Sequence, residues 1–381
     1  GANNGSSWAD AFTDLQDALA AAAADVEIWV AEGTYKPGAA RTDAFRLIAD
    51  CAVYGGFAAT ETERDPSDWV NNVTTLSGDI GTPGDASDNS RHVVMGTTGA
   101  RLDGFTVTGG NADGTGQSGY GAGIYSYLQS PTVVNCRFTG NTASIGAGIC
   151  NLGGSLNISG CTFTANTSSS RGGGISGLSG ASLQITNCIF DSNSAVTRGG
   201  GVFLTNGSSG TVTNCTLYGN SAAAGGGVEV LISTCTVKNS IVWDNTGGQV
   251  HNSSSTVTVT YSDIQGGYAG TGNIDEDPLF ANVTAGDFHL RSRGGRWTPP
   301  GWITDLQTSA CIDAGDPADS YANEPEDNGD RINMGAYGNT AQASMTPAAG
   351  APAPPPVPDG PSDEMLVPPA DLIEPPPPEG F

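Results

Sequence analysis

The chain has 381 residues, with 39 acidic against 14 basic side chains, a formal net charge of −25 and 56 glycines. An acidic surface of this kind lacks the basic patches that nucleic-acid phosphates and anionic membrane surfaces require, and no run of 18 apolar residues is present to span a bilayer. What remains is a glycine-rich, turn-rich β protein, long enough for one extended core and suited to calcium-rich surroundings.

The chain opens GANNGSSW with no methionine, as expected of an extracellular or cell-surface product whose leader has been removed. Residues 6–24 predict a helix capped by Ser6 or Ser7, with Trp8, Phe12, Leu15, Leu19 and Ala22 on one face. This amphipathic segment, residues 1–25, reads as the amino-terminal cap of a repeat array. Short apolar segments come next, at 28–35, 51–57, 74–79 and 92–96, separated by longer loops. One loop carries Asp79, Asp85 and Asp88 in a Gly/Asp pattern able to offer oxygens to calcium, although its spacing is not that of an EF-hand. A solvated acidic turn is the alternative.

From Gly121 to Asn245 the chain repeats itself five times at intervals of 25 to 27 residues. Each unit has a glycine cluster followed by an aliphatic residue, beginning at Gly121, Gly146, Gly172, Gly199 and Gly225, and a short segment ending in Asn141, Asn166, Asn193, Asn220 or Asn245. Aligned on Cys136, Cys161, Cys188, Cys215 and Ser240, the column three residues back is Val or Ile. The column two residues on is Phe138, Phe163, Phe190, Leu217 and Val242. The change of parity between the Val/Ile and Cys columns requires a turn or bulge at the intervening Asn or Gly. Each unit is thus strand, turn, strand, too short to bury its own apolar face, so copies stack with strands in parallel about 4.8 Å apart. The fold class is all-β: a parallel β-helix over residues 26–271, with regular coils from about 102 to 266. Asparagines stacked in register can bond up and down the axis and hold the turns without metal.

Four of the eight cysteines, Cys136, Cys161, Cys188 and Cys215, share one inward column. Stacked Cβ vectors nearly 5 Å apart and parallel do not suit a relaxed disulfide, so these read as a buried thiol ladder. Cys235 falls in the neighbouring inward column. Cys51, Cys150 and Cys311 are unassigned, and no spacing suggests zinc.

The repeat ends after Gly266. Residues 272–346 carry short strands and many turns and read as a carboxyl-terminal cap, with Arg331 as an ion pair or loop clamp among its aspartates. Within it, Arg291, Arg293, Arg296, Trp297 and Trp302 form a basic and aromatic cluster suited to sugar stacking or an acidic partner. Residues 347–381 hold 13 of the 22 prolines and read as a polyproline arm or linker. Met365, Leu366, Val367, Leu372, Ile373 and Phe381 sit between its prolines and acids as candidate anchors for a groove.

The segments GSSWADAFTDLQDAL, IWVAEGTY, VYGGF, ETERD, TLSGDI and LDGFTVTGGNADG together resemble bacterial secreted right-handed parallel β-helix repeat proteins. The alternation of GGGI or GAGI with FxxN is similar to that of chlamydial polymorphic membrane proteins, which are surface adhesins. The ending from NIDEDPLF through SACIDAGDP to INMGAYG resembles the choice-of-anchor Q module of such surface proteins. The resemblance spans about residues 5 to 345, with Leu217 and Val242 standing where the pattern has Phe. It implies a right-handed helix and export, and assigns no chemistry.

Three function classes fit this pattern. The first is a rigid extracellular rod that forms a homo-oligomer or polymer, with the proline-rich arm as its joint. The second is an adhesin or polysaccharide-binding protein, using the long face, the loop at 111–120 or the cluster at 291–302. The third is a polysaccharide lyase or hydrolase, which needs a cationic base or paired carboxylates on one face. Between Gly121 and Cys235 only Asp191, Glu229, Arg137, Arg171 and Arg198 are charged, and Arg171 and Arg198 precede glycine clusters in adjacent coils. His92, His251 and His289 lie in separate segments and read as structural. No catalytic residue is assigned, and calcium is the one cofactor considered.

Overall fold

A computed structural model describes residues 1–65, 68–299 and 301–348. The tail anchors Met365, Leu366, Val367, Leu372, Ile373 and Phe381 lie outside the described residues. The body is a parallel solenoid of about nine coils with three long sheets and one short one. Numbering each coil from its strand in the first sheet, coil 4 starts at Thr132–Val134, coil 5 at Ser155–Ser159, coil 6 at Ser182–Thr186, coil 7 at Ser209–Thr213, coil 8 at Thr234–Lys238 and coil 9 at Thr256–Thr260. The second sheet includes Arg137–Thr139, Thr162–Thr164, Ile189–Asp191, Thr216–Tyr218 and Ile241–Trp243. The third includes Ile124–Tyr127, Ile149–Leu152, Ile175–Leu178, Val202–Thr205, Val228–Leu231 and Val250–Ser253. A four-stranded fourth sheet lies between the second and third in chain order.

The turn required by the parity change is a left-handed residue. Asn135, Asn187, Asn214 and Asn239 have φ between 49° and 51°, and Gly160 has φ 62°. Asparagine and glycine tolerate that region best, which explains the column. The turn swings the next residue inward. Phe138, Phe163 and Phe190 then stack at 4.8 Å with planes within 6°, in the inter-coil spacing of a parallel sheet.

The asparagine column is buried and fully bonded. Asn166 Nδ2 donates to Asn193 Oδ1 at 2.9 Å and to the Phe138 carbonyl at 2.9 Å, while its Oδ1 accepts from Asn141 Nδ2 and from the Asn141 backbone N–H. Asn193 and Asn220 repeat this pattern. All eight thiols are free and buried. In the Cys column each thiol donates to the carbonyl two residues back, as Cys215 does to Thr213 at 3.2 Å, and Cys136 N–H donates to Cys161 Sγ at 3.4 Å. Ser240 Oγ takes the same place, accepting from Cys215 N–H at 3.1 Å.

Each glycine cluster is a close crossing of backbones. A β-carbon on Gly174 would lie 2.6 Å from the Gly201 carbonyl oxygen and 2.8 Å from the Phe190 ring, so no larger residue fits the third position.

Two expectations change. The predicted helix over 6–24 is two pieces, a 3₁₀ turn Trp8–Asp10 and an α-helix Leu15–Ala21, with extended Ala11 after the first. Ser7 accepts from Asp10 N–H and Asp14 from Gln16 N–H, so two caps start two short helices where the apolar spacing suggested one. Leu15 and Leu19 still enter the main core and cover the first coil. The other end is closed by the loop after coil 9, where Tyr261 N–H donates to the Thr271 carbonyl, Ser262 pairs with Ile274, and Tyr268 packs on the core.

Residues 272–346, expected to close the carboxyl end, instead lie along the outer side of the second sheet. Ile189 and Ile241 point outward there and are buried under Phe280, Phe288, Ile312 and Met334. The left-handed asparagines serve a second time: Asn187 Nδ2 donates to the Ala336 and Gly338 carbonyls, and Asn239 Nδ2 donates to Asp319 at 2.7 Å. Lys238 pairs with Asp316 and Asp319, both at 2.8 Å. Apolar residues on the outer side of the second sheet thus have a covering partner, and the segment is a flank rather than a lid. Among the described residues no helix is long and apolar enough to cross a membrane.

Candidate functional site

The split of the first helix opens a cleft. Because Trp8 and Phe12 no longer share a buried stripe with Leu15 and Leu19, they stand with Trp29 and Tyr35 around a space of about 850 Å³ at the amino-terminal end. Trp29 projects from strand Glu27–Ala31, opposite in pleat to the buried Val30, and stacks on Phe57 with centroids 4.8 Å apart. Trp8 leans on the same ring at 5.6 Å. Hydrogen bonds fix both indoles: Trp29 Nε1 donates to Glu27 Oε2 at 2.9 Å and Trp8 Nε1 to the Glu61 carbonyl at 3.0 Å. Glu27, Glu61 and Asp14 supply carboxylates at the wall, and among the described residues no Lys, Arg or His lines it. Half-buried aromatic faces beside convergent oxygens form a concave, mostly apolar site of the size that holds a small ligand. The sequence showed Trp8 and Phe12 only as helix residues. The signal overlooked was Asp14, a preferred cap in the middle of the predicted helix.

The basic and aromatic cluster of the carboxyl-terminal module is divided by its own acids. Arg296 is buried and bonds Asp305 at 3.1 Å and Asp287 at 3.3 Å, which neutralises it internally. Asp287 also accepts from the His289 ring at 2.6 Å, and despite its burial these bonds hold its carboxyl below the usual range. Arg291 and Arg293 remain half-buried without a carboxylate partner among the described residues. Trp297 and Trp302 face each other across a hairpin, Arg296–Thr298 with Gly301–Ile303, at 5.5 Å. Trp302, Ile303 and Leu306 are exposed, Leu306 by 70%. The structure therefore pairs the two tryptophans, leaves Trp302, Ile303 and Leu306 individually exposed, and neutralises Arg296 among its own acids.

Asp79, Asp85 and Asp88 share a loop but each serves it separately. Asp79 accepts from Gly84 N–H, Asp85 from Ser87 N–H at 2.9 Å, and Asp88 from Thr82 N–H at 2.7 Å. They do not converge, and among the described residues no three His, Cys, Asp or Glu side chains gather as a set that could hold a metal. Arg331 clamps its loop through carbonyls, donating to Gly315 at 2.6 Å and Ala314 at 2.9 Å.

A family model described as right handed beta helix region matches the chain twice, over residues 87–230 and 122–278, together half of its length. No curated protein matches it. A continuous parallel solenoid, with the matched region falling on its regular coils, agrees with that description. The chain belongs to the right-handed β-helix family.

Proposed function

We propose that this protein is an extracellular carbohydrate-binding β-helix of the adhesin type, which holds a neutral sugar in the amino-terminal cleft. The observation that carries the reading is the set of half-buried rings, Trp8, Phe12 and Trp29, around a cleft whose charged lining residues, among the described residues, are all acids. Ring faces cover the C–H side of a pyranose, and carboxylates accept its hydroxyl protons. The same carboxylates repel uronates and sulfated sugars. The solenoid behind the cleft is a stiff support on which a site of this kind keeps its shape. The test is titration calorimetry of the intact chain with neutral and acidic glycans. Binding of neutral oligosaccharides, weakened at least about tenfold, or 1.4 kcal/mol, by Trp29→Ala, is expected. No neutral glycan bound, or Trp8→Ala and Trp29→Ala both without effect, would overturn the reading.

A second reading, a rod that associates with copies of itself, draws on the exposed apolar residues Trp302, Ile303 and Leu306 of the flanking segment. Such association would use the flank, where these exposed residues lie. Light scattering on the intact chain, on Leu306→Ser and on the chain stopped at Thr346 tests it. Monomers throughout would sink it.

A further inference from the structure

Where the fourth sheet turns into the third, the chain doubles back so tightly that a β-carbon on Gly199 would lie 2.7 Å from Phe203 Cβ. The outward residues of the third sheet are buried in this corner: Tyr125, Cys150, Phe203 and Glu229 are all under 5% exposed. Arg171 of coil 5 and Arg198 of coil 6 lie in register along its edge. Each leans toward the next coil. The Arg171 guanidinium lies 5.8 Å from the Phe203 ring centre, and Arg198 Nη1 bonds Glu229 Oε1. The other oxygen of Glu229 bonds His251 Nδ1 of coil 8 at 2.6 Å.

This arrangement is unbalanced. One carboxylate, with no exposed surface, serves Arg198 and His251, while Arg171 has no carboxylate partner among the described residues. Like charges side by side on adjacent parallel strands cost free energy unless something neutralises them. A purely structural ion pair would place its acid beside both arginines. Glu229 instead holds Arg198 and the imidazole in fixed orientations, leaving His251 Nε2 without a partner among the described residues on a side chain that is 46% exposed. The basic side chains Arg171, Arg198 and His251 thus occupy coils 5, 6 and 8, spread over about 14 Å at the inter-coil spacing, on a chain that is acidic elsewhere.

We propose that this edge is an anion-binding strip for an acidic polysaccharide, with one carboxylate or sulfate bridging Arg171 and Arg198 and the next acidic group of the polymer reaching His251. Guanidinium groups suit this task because their planar donors match two-oxygen anions. The strip lies along the corner between the fourth and third sheets, apart from the aromatic cleft, and does not depend on the reading given to that cleft. Glu229 is a positioning residue in it.

Affinity electrophoresis and calorimetry of the intact chain would use polygalacturonate, dextran sulfate, neutral dextran and polyaspartate. Binding to either acidic glycan, weakening as salt rises from about 0.02 to 0.5 M, is expected. Arg171→Gln should weaken it at least tenfold, and Arg171→Lys should restore part of it. Because Arg171 makes no ion pair among the described residues, the fold is expected to survive its loss, which circular dichroism checks. Preference for polygalacturonate or for dextran sulfate tells carboxylate from sulfate. The proposal is overturned if neither acidic glycan binds, if Arg171→Gln binds as the unmodified chain does, or if polyaspartate alone binds.

Discussion

Gln249 Oε1 accepts the side-chain amide of Asn245 at 2.7 Å, and with that bond the asparagine ladder ends. Every earlier asparagine passes its amide to the next coil; Asn245 has no asparagine beyond it. A glutamine four residues on, longer by one methylene, reaches back to fill the vacancy, and its own amide continues to Gln265 at 3.0 Å. The column is thus a closed network of satisfied donors and acceptors, and its interior members carry the largest consequences of substitution.

Asn193→Ala should therefore cost about 3–5 kcal/mol. It removes one side chain and with it a partner of four buried groups, the side-chain amide and backbone N–H of Asn166 and the carbonyl oxygens of Phe163 and the Asn220 side chain. Urea unfolding followed by far-UV circular dichroism measures this. A loss below about 1 kcal/mol would show that water replaces the missing bonds.

Two glycines of the same coil should respond differently to alanine. At Gly174 the added carbon meets the Gly201 carbonyl and the Phe190 ring, and a cost of about 3 kcal/mol is expected. At Gly180, φ is +78° but nothing lies within 4 Å, so only the backbone penalty of about 1 kcal/mol applies. Comparison of the two unfolding midpoints separates close packing from backbone conformation.

The cysteines should be silent to thiol reagents in the folded protein and should all react once it is unfolded, without reductant, because all eight are buried and free. Burial also pushes the Cys235 thiol up to about 12 and raises Cys150 and Cys311, which suppresses the reactive thiolate. Cys215→Ser should be tolerated within about 1 kcal/mol, since Ser240 already fills that column with equivalent bonds. Fewer than eight thiols released by denaturant alone would reveal a disulfide.

Stability should fall as pH rises from about 4.5 to 7.5. Burial raises Asp263 to about 6 and Glu324 to about 7, against usual values near 4. Across that window the unfolded chain has released both protons while the folded chain still holds them. The unfolded state binds fewer protons, so the stability of the fold declines with increasing pH, by on the order of 2 kcal/mol for each group. Carboxylates held low, such as Asp287 and Asp316, act below this range and oppose it only in stronger acid. Asp263→Asn with Glu324→Gln should flatten the profile in thermal scans. An unchanged slope would place its origin elsewhere.

The solenoid, its coil length and its interior were legible in the residues alone, down to which side chains face inward at Cys188, Phe190 and Asn193. In a stacked repeat each coil touches only its neighbours, so contacts recur at a constant separation and appear as columns in the chain. The left-handed turn at Asn187 was legible for the same reason, as a change of parity repeated five times. Folding in three dimensions was needed to settle the features that do not repeat. Ile241 and Asn239 carry no mark in their columns that residues 311–338 will fold back upon them. The charges around Arg296 read as a free cluster until Asp287 and Asp305 closed on it. Trp8 and Phe12 became cleft walls because Asp14 restarted the helix, and Glu229 gained Arg198 and His251 only when three coils came into register. Each is a single contact between residues of unlike surroundings, made once, and a pattern made once leaves no period to read.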